Sequence, residues 1–416
     1  MSIPHMVEGR SIAEAWERSL LACYHSGTIV KTQYDVDPNT GVVHPPSRDC
    51  MMMMVVEEPL SEPRLHVCLI GGPAELGDYR AELVDGIRDH WVKRRPGDKT
   101  WSYTYSGLLT GYGDRLNYSA PKAIFEVGQD DPDNPWVGLA LVRDIINEDG
   151  TKGKVYLDLA PVDQVQMMID SLAESPFTRR AIAGTSFPPS DLKIDDPPCL
   201  RYIWCRGYQT GPDNGIAIDM HTHWRSRDGY KAALFNMFGV TELLRKIVKG
   251  VQRKMEDDQK RLLAGSCPVC GNSPINRESA EVWYTDIARA SCDGCGSRPF
   301  SVTAGRYVDV SDSYHIYGQD IENFEQGFLT AVEQRPEGQR WWDLEARFMT
   351  DMIDEGASRA RGMVRFRDER DGITDGHRPK DAPDFSVPTT APRAERKEEE
   401  EHEQETHLGQ EGQDES

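Results

Sequence analysis

The chain has 416 residues, 38% of them hydrophobic, and a formal net charge of −21. That is apolar material for one large domain with additions or for two domains, and no apolar run approaches the ~18 residues that cross a bilayer. So acidic a body excludes nucleic-acid binding through bulk charge. With no signal-peptide core in the first ten residues, a cytoplasmic protein is expected.

Ser11 to Tyr24 places Ile12, Ala15, Trp16, Leu20 and Cys23 at helical spacing, which predicts a helix with one apolar face. Met51 to Val56 is an unbroken apolar run and predicts a buried strand. Pro63 to Gly72 predicts a strand-like stretch ending in Gly71-Gly72-Pro73, which lacks the lysine and spacing of a phosphate loop and reads as a turn. Ala74 to Trp91 predicts a helix, and Asp130 to Pro135 a loop. Val162 to Leu172 predicts a helix with Val165, Met168, Ile169 and Leu172 inward. Residues 178–235 alternate strands and turns. Asn236 then opens a long helix to about Leu263, striped by Leu243, Leu244, Ile247, Val248 and Val251. A strand is expected around Tyr307 to Tyr317. From about Asp371 the chain turns polar, and residues 391–416 hold ten acidic and three basic side chains, so disorder is expected there.

Four of the nine cysteines form two pairs, Cys267-x-x-Cys270 and Cys292-x-x-Cys295, with 21 residues between the pairs. Each pair is followed by glycine. Four thiolates at this spacing predict a closed tetrahedral zinc site that is structural, with two redox dithiols or unpaired thiols as the other readings. Only Arg277 and Arg289 are basic between the pairs, so bracing or protein contact is expected there rather than DNA binding. The remaining cysteines show no disulfide framework.

Cys199 follows two prolines, which fix the backbone and forbid helix. A thiol held in this way is either a core cysteine or a nucleophile, and a nucleophile needs positive charge nearby to form its thiolate. Arg179, Arg180 and Arg225 offer three guanidinium forks suited to phosphate in an otherwise acidic chain. Asn236 is either a helix N-cap or a reader of a base, since its carboxamide matches the adjacent N3–H and O4 of uracil. His315 and Tyr317 alternate on the predicted strand and share one side.

Taken in order, Arg179-Arg180, Asp191, Pro197-Pro198-Cys199, Arg225-Ser226-Arg227-Asp228, Asn236 and His315-Ile316-Tyr317 resemble the active site of the thymidylate synthase and pyrimidine nucleotide hydroxymethylase family. The motifs cover roughly residues 100–250 and 303–320. Val7 to Ser11 and Val56 to Pro59 are more like archaeal and phage members. The resemblance implies that Cys199 attacks C6 of the pyrimidine, that Arg179, Arg180, Arg225 and Ser226 bind phosphate, and that Asn236 selects uracil. It implies that Asp228 meets the pterin of a folate, that His315 and Tyr317 bind the sugar, and that Tyr103 or Tyr105 supplies the proton-relay tyrosine. Arg48 is the candidate for a further phosphate arginine, and Glu82 for the water-organising glutamate. The implied ligands are deoxyuridine monophosphate and 5,10-methylenetetrahydrofolate. The implied assembly is a homodimer in which Arg179 and Arg180 reach across to the partner's site.

The chain departs from the family at Leu200, where bacterial and animal members carry histidine, at Trp224, where they carry glutamine, and at its C-terminal residues. These departures leave three outcomes open: methylation of deoxyuridylate, its 5-hydroxymethylation with water in place of hydride, or a catalytically silent nucleotide-binding scaffold. The fold implied is α+β, a large, mostly antiparallel twisted sheet with helices on one side and a small zinc-ribbon insertion. The expected domains are a core over 1–263 and 303–370, the insertion over 264–302 and an acidic tail over 371–416.

Overall fold

The computed structural model describes residues 4–37, 39–91, 103–111, 142–146, 152–156, 162–186, 191, 197–210, 215–263, 301–343 and 347–371. The predicted loop at 130–135, the four paired cysteines and the tail beyond 371 lie outside these residues. The fold is α+β, as the sequence predicts.

The chain opens with β1 (His5–Gly9) and α1 (Ile12–Ser26). Ser11 caps α1 by accepting a hydrogen bond from the Glu14 backbone N–H. Gly9 is required where strand turns into helix, because a Cβ there would lie 2.5 Å from the Ala15 nitrogen. β2 (Thr28–Val30) and β3 (Ser47–Val56) follow. The run at 51–56 is thus a strand, and it alternates: Cys50, Met52, Met54 and Val56 are buried while Met53 is exposed.

The predicted strand at 63–72 reduces to β4 (Leu65–His66). The predicted helix at 74–91 is shorter. α2 spans Pro73–Asp85 and stops at Gly86, whose φ of 65° is the left-handed conformation that glycine takes most readily at a helix end. Asp89–Trp91 is a separate turn of 3-10 helix. Next come α3 (Tyr105–Thr110), the hairpin of β5 (Val142–Ile146) and β6 (Lys152–Tyr156), and α4 (Gln164–Glu174). α4 buries Val165, Met168, Ile169 and Leu172, as its spacing predicts.

β7 (Ile182–Gly184), β8 (Leu200–Thr210), β9 (Gly215–Trp224) and β10 (Arg227–Asp228) lead into the long helix α5 (Ala233–Leu263). α5 starts three residues before Asn236, so Asn236 is inside the helix and is not its cap. β11 (Val302–Ile316), β12 (Trp341–Trp342) and α6 (Arg347–Asp371) complete the described chain.

Eight strands form the main sheet in the order β1-β3-β11-β9-β8-β7, with β2 extending the β3 edge and β10 extending the β11 edge. The sheet is mixed. β3 and β8 run antiparallel to β11 and β9 respectively, while β9 and β11 are parallel to each other. α1, α4 and α5 pack on one face. The opposite face carries exposed Met6, Met53, Tyr202 and Tyr208. α2 packs outside α5, and α6 packs outside α2. No helix among the described residues is long and apolar enough to cross a membrane.

Candidate active site

Sheet topology gathers most of the predicted residues at one end. Cys199 stands immediately before β8, and Arg225 and Ser226 immediately after β9. Because β8 and β9 are antiparallel, these positions coincide, and the Arg225 N–H donates to the Cys199 carbonyl at 2.9 Å. β11 ends alongside β9, and the short parallel pairing of β10 with β11 sets Asp228 opposite His315. β3 starts at the same end, with Arg48 opposite Ile316. Arg48, Cys199, Arg225, Ser226, Asp228, His315 and Tyr317 therefore share one rim.

Arg179 and Arg180 do not join them. Cys205 and Gly207 donate backbone hydrogen bonds to Ala181 and Pro176. The arginine pair is thus six or seven residues along β8 from Cys199, about 20 Å at ~3.3 Å per residue. Both side chains are exposed.

Cys199 is half-buried. The prolines before it are held by two guanidiniums: Arg225 donates to the Pro197 and Pro198 carbonyls, and Arg201 donates to Pro198 at 3.1 Å. Arg201 is itself held by the buried Asp191 at 3.3 Å. Arg201 carried no sequence signal. The backbone that carries the thiol is therefore clamped by two guanidinium groups.

Tyr105 reaches this point from α3. Its hydroxyl accepts the Leu200 N–H at 3.3 Å, and its ring packs edge-on to Trp224 at 5.9 Å. Burial pushes the Tyr105 pKa up to about 12, and the neighbouring Cys199 adds to the rise; the N–H groups of Leu200 and Cys199 and the Tyr103 side chain oppose it. Of the two candidate tyrosines, Tyr105 is thus the one at the cysteine, with Tyr103 behind it at 5.5 Å between rings. Asp89 anchors the start of α3, accepting hydrogen bonds from Thr104, Ser106 and the Gly107 N–H. Burial pushes the Asp89 pKa up to about 6, against those hydrogen bonds.

Asn236 occupies the first turns of α5, and its Nδ2 donates to the Tyr79 hydroxyl at 2.7 Å. Glu82, one turn further along α2, pairs with Arg88 at 2.6 Å, and burial holds its pKa above the usual carboxylate range. Asp228 accepts the backbone N–H groups of Tyr230 and Lys231 at 3.0 and 2.9 Å, fixing the turn into α5. Burial raises the Asp228 pKa and lowers that of His315, while their mutual attraction opposes both shifts. His315 is 5% exposed. Its Nδ1 meets the Ser313 hydroxyl at 3.3 Å, and its Nε2 has no hydrogen-bond partner among the described residues. Its ring lies 4.4 Å from that of Tyr317. Buried ring nitrogens are rarely left unpaired, so Nε2 is a natural contact for a ligand hydroxyl.

Behind the rim, Arg227 pairs with Asp309 in the interior and lies over the Trp224 ring at 4.4 Å. Tyr307 and Thr222 donate to the same carboxylate. Trp224, where family members carry glutamine, is thus part of a buried polar support. Leu200 is fully buried and apolar. Among the described residues no cluster of three His, Cys, Asp or Glu could hold a metal; the four cysteines of the predicted zinc site are outside them.

The fold and the clamped cysteine define an α+β protein with a group of polar side chains at one end of its sheet. No protein-family model matches the chain. Relatives described as "Putative thymidylate synthase" match it from Methanopyrus kandleri, 38% identical over 82 residues, and from Methanosarcina mazei, 32% over 90 residues. These matches cover 20% and 22% of this chain and 37% and 39% of the relatives, so the chain spans about two fifths of the length of the first relatives it matches. A third, from Methanococcoides burtonii, is 23% identical over 244 residues, covering 58% of this chain and 80% of that protein. Thermostable thymidylate synthase A from Bacillus subtilis aligns at 13% identity and a TM-score of 0.38, over 76% of this chain and 83% of its own. The sequence similarity is thus to archaeal proteins described as putative thymidylate synthases, over part of the chain.

Proposed function

We propose that the chain is an enzyme that methylates C5 of deoxyuridylate, taking the carbon from 5,10-methylenetetrahydrofolate. The observation that carries this reading is the meeting of Cys199 with Arg225 and Tyr105 at the sheet end that also holds Asp228, His315 and Tyr317. The Cys199 thiolate adds to C6, which makes C5 nucleophilic. Methylenetetrahydrofolate supplies the one-carbon unit and, as hydride, the two electrons that reduce it to methyl. Asn236 donates an N–H to O4 of uracil and accepts N3–H. Arg225, Ser226 and Arg48 face the phosphate, and the unpaired His315 Nε2 with Tyr317 takes the sugar 3′-hydroxyl. Tyr105 exchanges the proton at the reacting ring, and Asp228 meets the pterin.

Arg179 and Arg180, exposed and about 20 Å along the edge from Cys199 by the ~3.3 Å strand rise, serve a second copy. The sheet face carrying Tyr202 and Tyr208 is the contact surface of that homodimer. The inserted cysteines hold a structural zinc.

A second reading, 5-hydroxymethylation, uses the same site with water in place of hydride. The departures from the family at Leu200 and Trp224 leave open whether hydride or water completes the reaction. Incubation with deoxyuridylate and methylenetetrahydrofolate, beside Cys199→Ala, separates the readings by mass. A gain of CH₂ with dihydrofolate formed is expected. A gain of CH₂O with tetrahydrofolate released would establish the second reading. No product from deoxyuridylate, deoxycytidylate or ribonucleotides would refute both and leave a silent scaffold.

A further inference from the structure

Tyr79 was not among the residues that sequence motifs pointed to, yet it is built into the candidate site from three sides. Its hydroxyl accepts the Asn236 Nδ2–H at 2.7 Å. Its ring meets Phe235 edge-on at 6.2 Å. Gly239, one turn after Asn236 on α5, leaves room for that ring: a Cβ there would lie 2.7 Å from Tyr79 Cε1. Asn236 and Gly239 therefore share the face of α5 that receives Tyr79, and α2 and α5 are registered against each other at this contact.

We propose that Tyr79 is a positioning residue that sets base specificity, by fixing the orientation of the Asn236 carboxamide. The inference rests on the reading of Asn236 as the contact for the pyrimidine. A free carboxamide can turn over and present donor and acceptor in either order, matching uracil one way and cytosine the other. The Tyr79 hydroxyl removes that freedom if its oxygen faces Asn236 and its hydrogen points elsewhere. In the structure the Asn236 nitrogen, and not its oxygen, faces the Tyr79 hydroxyl, which makes the hydroxyl oxygen the acceptor. The Asn236 nitrogen then stays on the Tyr79 side, with its second N–H free for O4 and its oxygen free for N3–H. Turning the carboxamide over for cytosine would set its oxygen against the hydroxyl oxygen.

The test is equilibrium binding of deoxyuridylate and deoxycytidylate to the full chain, wild type and Tyr79→Phe, each also in an Asn236→Ala background. Tyr79→Phe keeps the ring that fills the space above Gly239, so packing is retained. The wild type is expected to prefer deoxyuridylate. Tyr79→Phe is expected to reduce that preference about tenfold, the worth of one oriented hydrogen bond, and to have no effect on preference once Asn236 is alanine. An unchanged preference in Tyr79→Phe would overturn the proposal while leaving the substrate reading intact. A loss of preference that persists without Asn236 would also overturn it, since Tyr79 would then act by another route. A wild type that binds neither nucleotide would overturn the substrate reading and this proposal together.

Discussion

Replacing Gly77 by alanine tests how α6 is held. Gly77 on α2 and Gly356 on α6 face each other's helices at backbone distance. A Cβ on Gly77 would lie 1.8 Å from the Ile353 carbonyl oxygen, and one on Gly356 would lie 2.0 Å from that of Ala74. Ordinary contact begins near 3.4 Å, so the helices must part by about 1.6 Å to admit a single methyl. The obstacle is main chain on both sides and cannot rotate away. A gap of 0.5–1 Å already forfeits about a quarter to a half of a dispersion contact, and Met349, Ile353, Ala357 and Ala360 all pack at this seam. Overpacking of this kind costs about 2–3 kcal/mol, less the ~1 kcal/mol that alanine returns to a helix in place of glycine. Gly77→Ala should therefore lower unfolding stability by about 1–2 kcal/mol, read as a shift of the urea midpoint. It should also speed proteolysis within 347–371 more than within α5. An unchanged midpoint together with an unchanged cleavage rate of α6 would refute the close seam.

Four other outcomes follow from the geometry. Tyr105→Phe should bind deoxyuridylate normally and turn over about 10²–10⁴-fold more slowly, the usual worth of a positioned proton donor; single-turnover kinetics decide it. Asp89 is held above the ordinary carboxylate pKa, up to about 6, so the folded state retains its proton where the unfolded state has lost it. Its contribution is fully present below the unfolded value and fades as pH rises through about 6. Asp89→Asn should flatten that part of the stability profile, measured by urea unfolding between pH 4 and 7. Mixing Cys199→Ala with Arg179→Ala protein, each inactive alone, should restore about a quarter of wild-type activity, because half the dimers are mixed and each has one complete site. No recovery would remove the cross-subunit role. Finally, one zinc per chain is expected by metal analysis, falling to none in Cys267→Ser, and chelation should lower thermal stability.

The sequence was most informative where one period or one motif dominated. The helical stripes of α1, α4 and α5 describe surfaces that face a single core, so local pattern and tertiary burial agree, and the apolar run at 51–56 is a strand as read, although only alternate residues of it are buried. It misled at 74–91, because the helix-ending role of Gly86 depends on a positive φ that composition does not reveal. The short strand Leu65–His66 exists through its pairing with Trp341–Trp342, a partner far along the chain. The residues that the fold brings to one rim could be picked out because their spacing resembles that of the family. Tyr79 could not, because its contact with Asn236 is made across the fold, and Arg201 could not, because no motif marks an arginine that holds a neighbouring proline carbonyl. The opposed glycines Gly77 and Gly356 read in sequence only as weak helix positions, since their reason lies in the partner helix.

The position of β11 also governs when the protein can take shape. This strand lies at the centre of the sheet, between β3 and β9, yet it begins only at Val302. A ribosome must therefore release α5 and residues 264–301 before the two halves of the sheet can join. Until then β3 and β9 each present an unpaired edge, the kind of surface that invites wrong strand partners. The four paired cysteines lie in the segment synthesised directly ahead of the missing strand, and the zinc proposed for them would, on binding, shorten the loop whose closure delays assembly.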